Sequence, residues 1–123
     1  MKCFLSPDRQ QTLTETLTAL GITPEQIQKF LDHLTDDLVQ VDFEMYVHVQ
    51  TVIFCRSQGE NDEALTGLAV LAAIMGEARS RGLTETDFPQ SHQAIRDDLL
   101  GHYHMDDADV EEAFKRLPPE TLQ

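Results

Sequence analysis

The chain has 123 residues, the size of one ordinary domain, and with 41% apolar and 25% charged residues it has enough of each to build a core, which excludes a disordered tail. Its 22 Asp and Glu against 9 Lys and Arg give a net charge of −13, a balance that repels nucleic-acid phosphates and anionic lipid heads. Direct binding to nucleic acid or to a membrane surface is therefore not expected.

Taken in chain order, the apolar run Met1 to Leu5 meets Ser6-Pro7-Asp8 too soon for a signal-peptide core. Serine, proline and aspartate in that order open a helix, and Leu13, Leu17 and Leu20 continue it over residues 7–20 until Gly21. Thr23-Pro24-Glu25-Gln26 repeats the start signal as a capping box, and Ile27, Phe30, Leu31, Leu34 and Leu38 share one face, which predicts a second helix over 24–37.

Residues 39–55 are ambiguous. Val39, Val41, Phe43, Met45, Val47 and Val49 alternate with polar neighbours at the period of a strand, whereas Leu38, Val41, Met45, Val49 and Val52 also follow helical steps. No second strand of comparable length exists to satisfy its backbone groups, so a buried helix is the preferred reading. The alternative is an α+β chain whose long strand at 39–55 pairs across a dimer.

Gln58 to Asn61 reads as a turn, and Asn61 or Asp62 is placed to cap a helix running to about Arg81 and stopping at Gly82. Gly67, Ala69, Ala72, Ala73 and Gly76 would let a neighbouring helix approach it closely, which makes it the expected centre of packing. Ser91 is placed to cap a helix ending at Gly101, and Asp106 or Asp107 to start a last one carrying Val110, Ala113, Phe114 and Leu117, closed by Pro118-Pro119. The expected fold is all-α, a single bundle of five or six short helices forming one domain, 1–123. No stretch approaches the roughly 20 apolar residues of a membrane span. Cys3 and Cys55 lack CxxC spacing and suit reduced thiols, so a cytoplasmic chain is expected.

Three chemical constellations stand out, each with a plainer reading. Residues 17–34 have the outline of a helix-turn-helix DNA-binding regulator. Yet the second helix exposes Glu25, Gln26, Gln28, Lys29, Asp32 and His33, one lysine against two acids where a DNA reader needs cations. His102 and His104, with Asp106, could share a metal ion in an extended segment, as in a metal-binding protein or metal-dependent enzyme, but they lack HExxH spacing and the glycine and glutamate of a calcium loop. Cys55 and His48 lie seven residues apart, too far for thiolate activation on a helix or a strand, and read as packing residues. With no nucleotide-binding, hydrolase or di-iron motif, neither catalysis nor a cofactor is expected.

The acids themselves are unevenly distributed. Residues 35–63 hold seven against Arg56 alone, and residues 97–123 hold eight against Lys115 and Arg116. Glu25 with Lys29, Glu77 with Arg81, Glu111 with Lys115 and Glu112 with Arg116 have the spacing of helix ion pairs. Asp36, Asp37, Asp42, Glu44, Asp97, Asp98, Asp106, Asp107 and Asp109 have no such cation in sequence. They are the expected contact face of a non-enzymatic module that inhibits or chaperones a protein with a basic surface, the principle used by immunity proteins, phage anti-defence inhibitors and nucleic-acid mimics. Homodimerisation is compatible with each of these readings.

Overall fold

Ser6 ends an extended N-terminal segment by accepting a hydrogen bond from Arg9 N (3.4 Å), and Pro7 takes the first position of helix α1, Pro7–Ala19. The computed structural model describes residues 2–101, 106, 108–110 and 112. Gly21 at φ 90° turns the chain into the Thr23 capping box, present as predicted, and α2 runs Pro24–His33.

Helix α2 stops four residues short of the predicted 37 because the backbone beyond it serves another partner. Phe4 N donates to Leu34 O and Asp36 N to Lys2 O (both 2.9 Å), an isolated antiparallel bridge that ties the N-terminus to the α2–α3 link. Phe4 and Leu5 are thereby buried. Arg81 seals the junction: its guanidinium lies 4.4 Å over the Phe4 ring, donates to Phe4 O, and reaches Asp36 Oδ1 (2.8 Å) and Glu77 Oε2 (3.4 Å).

Residues 39–55 are helical. They form most of α3, Leu38–Ser57, capped by the Asp37 side chain accepting from Val39 N (3.0 Å). The intermolecular strand is not adopted, and no strand occurs among the described residues beyond the single bridge. Helix α4, Asn61–Ser80, packs along α3 and against α1, as its small residues predict. A Cβ on Gly67 would meet Val52 Cγ2 at 2.6 Å, so the α3–α4 approach depends on that glycine. Its N-cap is Glu60, without a side-chain bond, rather than the predicted Asn61 or Asp62.

One 3-10 turn, Glu85–Asp87, leads into α5, Pro89–Gly101. Ser91 does not cap this helix. It is fully buried in the first turn, and the N–H groups of Gln90 and Ser91, which have no acceptor within the helix, are satisfied from outside, by Asp42 of α3. The expected last start is present at Asp106, whose Oδ1 accepts from Asp109 N (2.8 Å) and whose carbonyl accepts from Val110 N (3.0 Å). Ala113, Phe114, Leu117 and the closing prolines lie outside the described residues. The core runs from Phe4 and Leu13 through Val41, Met45, Val49 and Ile74 to Phe88 and Ala94, and the arrangement is the all-α bundle expected.

Candidate protein-binding surface

Three of the nine predicted contact carboxylates are occupied within the fold. Asp42 is buried and is not a contact residue: its carboxylate accepts from Gln90 N (3.1 Å), Ser91 N (2.9 Å) and Ser91 Oγ (2.6 Å), so it is the cap of α5. Asp36 is held by Arg81 and Asp98 by Arg56 (2.8 and 3.0 Å), partners 45 and 42 residues away that no local spacing could reveal. Asp37 and Asp106 cap helix starts yet remain exposed. Glu44 is half-buried and accepts from Gln40 Nε2 (3.1 Å), exposed Asp97 accepts from Gln93 Nε2 (2.8 Å), and Asp109 is exposed. Asp107 lies outside the described residues.

These carboxylates do not merge into the single anionic face the sequence implies. Asp36 and Asp37 open α3, whereas Asp98 meets Arg56 near its other end, and exposed Glu60, Asp62 and Glu63 follow that end. Twenty residues of helix, roughly 30 Å, separate the two groups. Acid therefore frames α3 at both ends.

Between those ends lies a feature that the sequence reading missed. Val39 (80% exposed), Phe43 (50%), Val47 (39%) and Phe54 (62%) fall within about 80° of arc on α3 at 3.6 residues per turn, with exposed Gln50 among them. Buried Val41, Met45, Val49, Val52 and Cys55 occupy the opposite side. The outer stripe carries no charged residue, although a quarter of the chain is charged. Its signal was the period-two alternation itself, which here arises from two apolar stripes on opposite sides of one helix.

The remaining candidates resolve more simply. His48 is half-buried edge-on to the Phe30 ring (centroids 5.6 Å apart, 82° between planes), and burial lowers its pKa, with Glu44 opposing. Burial first, and the charges of Glu60 and Glu63 after it, push the Cys55 thiol up, away from a reactive thiolate. Glu25, Gln26, Gln28, Lys29, Asp32 and His33 on α2 are all exposed. No three His, Cys, Asp or Glu side chains come together as a metal site among the described residues, and His102 and His104 lie outside them. A cavity of about 110 Å³ is lined by Met45, Met75, Phe88, His92 and Ile95 among others, below the roughly 300–1,000 Å³ of ordinary ligand pockets, whereas an open groove of about 460 Å³ between Tyr46 and Gln50 of α3 and Gln93 and Asp97 of α5 falls within that range. No helix among the described residues is long and apolar enough to cross a membrane. Comparison with known protein families, with curated proteins and with solved structures found no match.

Proposed function

We propose that this protein is a non-enzymatic binding module that docks on a partner protein with a basic surface and so inhibits or chaperones it, in the manner of proteins whose carboxylates stand where phosphates would. One observation carries the reading: among the described residues fourteen exposed acids face solvent against four exposed cations, Lys2, Lys29, Arg79 and Arg81. Arg9 lies 3.7 Å from Glu77, Arg56 is bound to Asp98, and Arg81 to both Glu77 and exposed Asp36, so three of the chain's nine cations are engaged by carboxylates of the same chain. The surface is left with exposed acids at Asp37, Glu60, Asp97 and Asp109. Such a field accelerates encounter with a basic surface and selects against acidic partners. A cytoplasmic setting fits Cys3 and Cys55, both free thiols.

The test is capture from native lysate at low and at raised salt, with the captured proteins identified by mass spectrometry and their association rates measured. Basic partners whose association slows steeply with salt are expected, and Asp37→Asn with Asp97→Asn and Asp109→Asn should slow it further. Partners that are acidic, or association rates indifferent to salt, overturn the proposal.

A further inference from the structure

Resting on that reading, we infer that the outward stripe of α3 is the apolar centre of the docking surface, and that its occupant is an amphipathic helix of the partner carrying cations at its ends. A helix apolar on two opposite sides belongs in the middle of a structure, and the described residues cover only one of them. The uncovered side runs from Val39 to Phe54, about 22 Å of axis, with two half-exposed phenylalanines and no charge. Depletion of charge together with aromatic side chains is what distinguishes the buried centre of an interface from ordinary surface.

The kind of occupant follows from what α3 offers. A helix has no free backbone donors or acceptors along its length, so the stripe cannot recruit a strand. It can only be packed by side chains. Val39, Phe43 and Val47 form a ridge at four-residue steps, which fits the groove between equivalent rows on another helix.

The occupant's charge follows from the frame. Exposed Asp37 stands at one end of the stripe, and beyond the other follow exposed Glu60, beside Cys55 of the covered side, and exposed Asp62 and Glu63. Asp97 lines the groove that α5 forms with Tyr46 and Gln50 of α3. A second copy of this chain would bring these acids against their own kind in either orientation, Asp37 facing Asp37 when parallel and Glu60 when antiparallel. A helix with Lys or Arg at both ends meets opposite charge at each position.

The probe is a synthetic helical peptide of about 18 residues, with four leucines in one stripe and lysines at both ends, followed by fluorescence anisotropy. One control has the leucines scattered and another has glutamate for lysine. The patterned basic peptide should bind at low and at raised salt. Phe43→Ser with Phe54→Ser should weaken it at least about tenfold at both, the loss expected of central aromatic anchors, through faster dissociation. Asp37→Asn with Asp97→Asn should instead slow association at low salt only. Circular dichroism of each variant confirms that the helices remain. No binding of the patterned peptide, equal binding of the scattered one, or an unaffected phenylalanine variant overturns the docking inference while the charge-led reading survives. Equal binding of the glutamate peptide overturns both. A dimer in sedimentation that Phe43→Ser dissociates assigns the stripe to a second copy and overturns the inference as well.

Discussion

Two carboxylates that look alike in the sequence have opposite roles, and substitution separates them. Asp42 accepts three hydrogen bonds in a buried setting and supplies α5 with the cap its own sequence lacks. Removing it leaves Gln90 N and Ser91 N without their acceptor and the Ser91 hydroxyl with only long contacts such as that to Phe88 O (3.4 Å), so Asp42→Ala should cost about 3 kcal/mol in chemical denaturation. Asp37 also caps a helix, but its donor stays within reach of water, and Asp37→Ala should cost about 1 kcal/mol. Equal losses at the two positions would contradict the division between structural and surface-facing acid.

Titration separates two further residues. Burial holds His48 neutral below its ordinary 6.5, so the unfolded chain takes up a proton at this position that the folded chain resists. Its stability is full above 6.5 and declines as pH falls from there toward the lower folded value. At Glu77, burial alone would raise the carboxyl, but the hydrogen bond from Ser6 N (2.6 Å) and the hydrogen bond and charge of Arg81 outweigh it and hold the pKa below 4.5. That contribution is present above 4.5 and is lost as pH falls through the lower value of the folded state. Urea melts across this range should decline in two stages, with His48→Gln flattening only the upper one and Glu77→Gln only the lower.

At the scale of elements, the α3–α4 contact makes the sharpest claim. Gly67→Ala gains about 1 kcal/mol of helix propensity but drives a methyl into Val52 Cγ2, whose β-branched side chain has little rotamer freedom in a helix. Overpacking of this kind costs about 1–3 kcal/mol, so the variant should melt below wild type. Gly76→Ala meets only the Arg9 guanidinium, the far end of a flexible side chain that can swing aside at the loss of its exposed contacts with Ser80 and Glu77, and should cost less than Gly67→Ala. The reverse order of melting temperatures would mean that the two helices do not approach at Gly67.

The elements also show where the sequence was informative. Local chemistry placed α1, the capping box of α2, the small-residue face of α4 and the start at Asp106, because each signal lies within a few residues of what it controls. It misjudged the end of α2, the cap of α5 and the pairing of Asp36 and Asp98, since those depend on residues 30 to 49 positions away. The outer stripe of α3 was visible but misread: Val39, Phe43 and Val47 entered the alternation as one half of a strand pattern. Asking which apolar positions the other helices could not cover would have found it.

At the scale of the whole molecule, one net charge governs two responses to salt, and they run in opposite directions. With charge −13 and three arginines engaged internally, the folded chain concentrates like charge on its surface, which the expanded unfolded chain relieves. Raising ionic strength from about 0.01 to 0.1 M shortens the screening length from about 30 to 10 Å, less than the length of α3, so acids at its two ends cease to repel one another. The melting temperature of the free protein should therefore rise with sodium chloride over this range. Association with a basic partner should slow over the same range, because the field that steers encounter is screened by the same ions. A melting temperature that falls with salt would show that internal pairs such as Arg56–Asp98 outweigh surface repulsion, and the net charge would then be no guide to what the exterior attracts.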